Sequence, residues 1–150
     1  MEADAEVTSQ LKVLFRSQKL GVLSTHDHGQ PYASLVAFAA TDDMKGLLFA
    51  TSRSTRKYAN LRNEPRAAML VDNRSNQDSD FHNAIAVTAT GQTVEVAPDD
   101  KDALLKVYLD KLPHLAEFVC ARTCALFLLT VDTYYVVQHF QHVVEIHIER

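Results

Sequence analysis

The sequence predicts an α+β fold built on a small antiparallel β-barrel. Two observations lead there. Several strand-like segments follow one another through tight polar turns, and the helix-period segments between them never fall into the strict strand–helix alternation of a parallel sheet. The length of 150 residues, 47% apolar and 23% charged, is that of one soluble domain covering 1–150.

Each element has a local reason. Val7, Leu11, Leu14 and Phe15 share one helical face, which predicts a lead-in helix over 4–18. Leu20–Thr25 reads as a strand, turned by Asp27-His28-Gly29 into a longer strand over Pro31–Ala40. The polar turn Asp42–Gly46 leads to a third strand, Leu47–Thr51, so the first three strands form a meander. A helix over about Ser54–Asn63 stops at Glu64-Pro65, because proline disfavours helical geometry in the residue before it. Ala67–Asp72 is a buried strand, and the polar, aperiodic 73–83 is a loop. Ala84–Val96 is a strand with Gly91 marking a bulge. Pro98 opens a helix with Leu104, Leu105, Tyr108 and Leu112 as its apolar stripe, and a shorter helix runs to about Ala121. Ala125–Gln138 and Val143–Ile148 complete six or seven strands. Tyr32, Phe38, Phe49, Tyr134, Tyr135 and Phe140 are read as strand-packing aromatics.

Composition excludes several function classes. A net charge of -4 argues against general nucleic-acid binding, which needs a broad basic surface. No apolar run approaches a membrane span, and Met1–Gln10 is too polar for a signal peptide. With only Cys120 and Cys124 there is no disulfide framework, which points to a reducing cytoplasm rather than export. No Gly-x-Gly-x-x-Gly or Gly-x-Ser-x-Gly occurs.

One segment stands apart from this acidic background. Residues 51–66 carry five of the fifteen Lys/Arg residues and one acid, Glu64. Thr51, Ser52, Ser54 and Thr55 come first, and Arg56 and Lys57 then occupy the first turn of the helix. Cations there oppose the positive end of the helix dipole. A bound anion makes the arrangement favourable, since hydroxyls, free N–H groups and cations converge on it. The segment is therefore a candidate phosphate site; the alternative is a solvated basic helix face.

The run Phe49-Ala50-Thr51-Ser52-Arg53-Ser54-Thr55-Arg56-Lys57 resembles the Phe-Tyr-Thr-Asn-x-x-Ser-Arg-Lys segment of the FMN-binding split-barrel superfamily, typified by pyridoxamine 5'-phosphate oxidase. Asn63-Glu64-Pro65-Arg66-Ala67-Ala68 is similar to the Asn-Pro segment that opens the next strand in that family. The resemblance covers about residues 7–97. It implies an antiparallel split β-barrel with peripheral helices, a homodimer with FMN at the subunit interface, and Thr51, Thr55, Arg56 and Lys57 on the flavin phosphate. It also implies that the flavin ring lies against Pro31–Phe38, with Ser34, Leu35 and Val36 offering backbone and side-chain contacts. Ser75 and Asn76, in Asn73-Arg74-Ser75-Asn76, add amide and hydroxyl groups for ring or phosphate, or else form a plain surface turn.

The chain departs from the oxidase itself. Ser34 stands where the oxidase has Arg, Ala86 where it has Gln, and Val143–Arg150 lacks its Arg-Leu-His-Asp-Arg motif. The expectation is an FMN-dependent oxidoreductase of a small, different substrate, with no residue identified as a catalytic acid or base. The alternatives are a non-catalytic flavin- or haem-binding protein, with His139, His142 and His147 as candidate axial ligands to haem, and a deazaflavin-dependent reductase. A structural metal is not expected, because Cys-x3-Cys is not the zinc-knuckle spacing and His26 and His28 flank a turn. Cys120 and Cys124 are read as packing residues, one turn apart if the local structure is helical.

Overall fold

A computed structural model describes residues 2–139 and 141–150. The expectation for Phe140 lies outside the described residues, as does Met1. Helix α1 (Glu2–Ser17) leads into β1 (Leu20–Asp27), β2 (Gln30–Ala40) and β3 (Gly46–Ser52). There follow α2 (Arg56–Asn63), β4 (Arg66–Asp72), α3 (Asp80–Asn83) and β5 (Ala86–Glu95). The last third comprises α4 (Pro98–Lys111), a 3-10 turn, α5 (Ala116–Cys120), β6 (Cys124–Gln138) and β7 (His142–His147).

The strand order is β3-β2-β1-β4-β5-β6-β7, and a further β3–β6 pairing closes six of the strands into an antiparallel barrel. Strand β6 makes this possible by its length. Its first half, Cys124–Thr130, pairs with β3, and its second half, Thr133–Gln138, pairs with β7. The expected α+β barrel is thus the observed one, with β7 as an extra strand.

The first hairpin turns on His28 and Gly29, both with positive φ (49° and 88°), the geometry that matches the twist of flanking strands. Glycine at 91 answers a different need. Its register slips against β6 so that Asp132 has no partner on β5, and a Cβ at Gly91 would lie 1.9 Å from the Thr130 carbonyl oxygen. The bulge expected at Gly91 therefore has its extra residue on β6.

Inside the barrel, Leu23, Phe38, Leu47, Phe49, Met69, Val87 and Leu129 are fully buried beneath Val7, Leu11, Leu14 and Phe15 of α1. A second cluster lies outside β3 and β6, where Tyr108 of α4, Leu112 just beyond it and Val119 of α5 cover Leu48, Ala50 and Leu126. Strand β3 is consequently buried on both faces, which explains its unbroken apolar run.

Two expectations need correction. The loop 73–83 contains the short α3, held by the Asp80 carboxylate, which accepts from Ser75 N, Ser75 Oγ and Asn76 N. Four residues are too few to display a helical period. Cys120 and Cys124 do not share a helix, since α5 ends at Cys120 and a turn intervenes before β6. Cys124 is buried, and burial pushes its thiol pKa up, whereas Cys120 is exposed and does not pack.

Candidate functional site

Thr51, at the end of β3, is 1% exposed, and its Oγ1 lies 2.7 Å from Thr55 Oγ1. Thr55 is the N-cap of α2, where its Oγ1 accepts from Tyr58 N at 3.2 Å. Ser52 Oγ lies 2.9 Å from Ser54 Oγ. Arg53 N donates to the Thr123 carbonyl oxygen, which ties this hydroxyl-lined turn to the start of β6. The hydroxyls of the turn thus serve one another and the helix cap.

The five cations of this segment separate into two groups. Arg53 makes a bidentate pair with Glu95 at 2.9 and 3.0 Å and also donates to the Tyr58 hydroxyl. Arg66 pairs with Glu64 at 2.7 Å, and Arg62 donates to Tyr58 at 3.2 Å. These contacts lower the Tyr58 phenol pKa, through Arg62 first and Arg53 next, and Arg53 lowers that of Glu95. Arg56 and Lys57 remain. Among the described residues neither is in an ion pair, and α2 has no acidic residue in its first turn. Two positive charges therefore stand uncompensated at a helix N-terminus.

Next to this turn the barrel is split. Strand β2 pairs with β1 along Gln30–Ala37, but it pairs with β3 only through Phe38, Ala39 and Ala40. The first half of β2 thus has one edge that no strand covers among the described residues. The Arg56 guanidinium carbon lies 5.7 Å from the Tyr32 ring centroid, which brings the helix start to this edge. Buried Asn60 of α2 donates to Thr25 Oγ1 of β1 at 3.0 Å and fixes the helix beneath the opening.

The three expected β2 contacts occupy different surroundings. Val36 is 5% exposed and its side chain belongs to the core, so only its backbone is available to a ligand. Leu35 points outward and is 66% exposed. The Ser34 Oγ is buried without a hydrogen-bond partner. Ser75 and Asn76 lie elsewhere in the chain. Helix α2 leads into the start of β4, whereas they follow its other end, about 20 Å away at the usual strand rise. Their N–H groups are already taken by Asp80.

Sequence reasoning missed how Arg53 and Tyr58 are used, because Glu95 is 42 positions away and no local spacing links them. It also left Asn60 unremarked. An amide on the apolar side of a helix, beside buried Leu61, was the available signal. Among the described residues no group of three or more His, Cys, Asp or Glu side chains is placed to hold a metal.

Residues 7–133 match the family model of pyridoxamine 5'-phosphate oxidase. The chain belongs to that family. Solved structures with the same fold include a haem-binding protein from Mycobacterium smegmatis, at 19% identity and a TM-score of 0.80. That match covers 89% of this chain but 55% of the mycobacterial one, so this chain spans little more than half of its length. An FAD-binding protein from Mesorhizobium loti is similar at 17% identity, 86% and 90% coverage and a TM-score of 0.68. The haem storage protein HutZ from Vibrio cholerae is similar at 18% identity, 85% and 92% coverage and a TM-score of 0.68. No curated protein matches the chain. At these identities the neighbours speak for the fold, and the family's split barrel is the one described above.

Proposed function

We propose that this chain binds FMN, with the phosphate at the start of α2 and the ring along the open edge of β2, and acts as an oxidoreductase on a small molecule. The observation that carries this reading is the pair of uncompensated cations, Arg56 and Lys57, at a capped helix N-terminus beside an uncovered strand edge. Arg56 and Lys57 neutralise the phosphate, and the Thr51 and Thr55 hydroxyls donate to its oxygens in place of their bond to each other. Ser34 Oγ, buried and without a partner, is a polar atom whose satisfaction a ring heteroatom or carbonyl supplies. When bound, the flavin supplies a ring nitrogen that accepts or donates hydride. The protein orients it and limits access by water. Ser34 in place of the oxidase's Arg supports a substrate other than pyridoxamine phosphate.

The site is completed by a second copy. Leu35, Val22 and Leu70 lie in one cross-strand row on the outer face, with Leu20 beside them, and Leu35, Leu20 and Leu70 are 66, 55 and 37% exposed. Such a patch on a barrel face suits a self-complementary dimer.

Arg56→Ala with Lys57→Ala tests the phosphate assignment. Two charge-assisted bonds at about 1.5–3 kcal/mol each correspond to an affinity loss on the order of a hundredfold or more. The purified variant is expected to be folded and colourless. A variant that retains as much FMN as the parent would show that these two residues do not hold the phosphate.

A second reading, haem binding, is favoured by two of the structural neighbours. His147 is engaged by Thr133 Oγ1 at 3.1 Å and Glu145 at 3.3 Å, which leaves His139 and His142, both exposed near the β6–β7 turn, as the better axial candidates. A Soret band lost on replacing them supports haem; a spectrum of oxidised flavin alone rejects it. A deazaflavin fits the same residues as FMN and is separated by its spectrum.

A further inference from the structure

Away from the split, a cavity of about 480 Å³ lies between α1, the β2–β3 turn and the end of α4. Its size suits a small molecule. It adjoins the start of β3, whereas the basic turn follows the other end of that strand, about 20 Å away at the usual strand rise. The cavity is therefore separate from the proposed flavin site.

Its lining divides by polarity. Phe15, Ala39 and Met44 are buried and give it apolar surface, to which Val107 of α4 adds. Lys12, Arg16, Asp42 and Asp110 are exposed and form the rim. Asp110 is engaged by Lys106 at 2.8 Å. Among the described residues Lys12 and Arg16 form no ion pair. They stand one turn apart on the same side of α1, with about 5–6 Å between their Cβ atoms, a like-charge pairing that costs an isolated helix stability. An anion held between them reverses the sign of that interaction.

Lys111, in the last turn of α4, lines the same cavity. Its Nζ donates to the Gln18 carbonyl oxygen at 2.7 Å and lies 3.7 Å from the Phe38 ring centroid, contacts that suit an ammonium. Burial pushes its pKa down to about 8, with no carboxylate close enough to offset the fall. Three cations thus line a cavity in which Asp42 is the carboxylate left without a cationic partner among the described residues.

We propose that this cavity binds a small amphipathic carboxylate, with its head between Lys12 and Arg16 and its apolar body on Phe15, Ala39 and Met44. The Arg16 guanidinium offers the paired donors that a carboxylate accepts, and Lys12 adds a second charge. Lys111 acts through its field, not by contact. An inorganic anion would leave the apolar lining uncovered, and a neutral apolar molecule would leave the rim cations unmatched. Asp42 at the rim favours a monoanion over a dianion, since each added negative charge on the ligand meets its repulsion.

Octanoate, octanamide and acetate, each titrated into the purified chain by calorimetry at low salt, test the assignment. Octanoate is expected to saturate one site per chain. Octanamide, which lacks the charge, and acetate, which lacks the apolar body, should each bind at least about tenfold more weakly. Lys12→Gln with Arg16→Gln should reduce octanoate affinity by about tenfold or more and leave octanamide unchanged. Asp42→Asn should tighten octanoate severalfold, a gain that damage to the fold would not produce. All three positions are exposed, so the core stays intact. Absence of saturable octanoate binding, octanamide or acetate binding as tightly as octanoate, or an octanoate affinity that ignores the charge changes overturns the proposal.

Discussion

At the scale of single residues, hydrogen-bond satisfaction separates groups that build the protein from groups that serve a ligand. Thr51 and Thr55 build the protein through a mutual 2.7 Å contact under a helix cap, and are proposed to serve the ligand as well. Ser34 has no structural partner at all, since its Oγ is buried and unsatisfied. Ser34→Ala is therefore expected to leave the thermal midpoint unchanged or raise stability by about 1 kcal/mol, because an unsatisfied buried hydroxyl is removed. The same change should weaken FMN binding by about tenfold, the value of one hydrogen bond. Thermal unfolding and a flavin titration read the two effects separately. A clear loss of stability would mean that Ser34 already has a partner in the folded protein.

At the scale of elements, glycine and backbone approach explain what side-chain pattern alone does not. A methyl group at Gly91 would meet the Thr130 carbonyl at 1.9 Å, so Gly91→Ala must displace β5 from β6 at the bulge. The expected cost is about 3 kcal/mol in denaturant unfolding, at the upper end for overpacking. A variant as stable as the parent would place the bulge elsewhere. The strands, α1, α2 and α4 were legible in the sequence because their reasons are local: an alternating or continuous apolar run, a helical stripe, a proline stop. The basic turn was legible for the same reason, since Thr51 to Lys57 are consecutive. What was not legible depended on distant partners. Nothing near Arg53 in the sequence announces its pairing with Glu95, and the Val36 side chain looked available until the core covered it. Helix α3 is fixed by one Asp80 side chain and left no periodic trace.

At the scale of the whole molecule, closure of six strands leaves an apolar outer face beside the uncovered edge of β2. The face, with Leu20, Leu35 and Leu70 exposed, is the one proposed above to be covered by a second copy. Leu35→Glu with Leu70→Glu is expected to give a folded monomer in light scattering and to reduce flavin content, because the proposed ligand site lies at the proposed junction. A doubly charged variant that stays dimeric would move the interface to another face. The central claim is that a phosphate, more than the ring, is what the start of α2 recognises. Titrating flavin-free protein with FMN and with riboflavin, which has the same ring and no phosphate, tests this most directly. FMN should bind on the order of a hundredfold more tightly, and that preference should collapse when Arg56 and Lys57 are both alanine. Equal affinity for the two flavins would contradict the account.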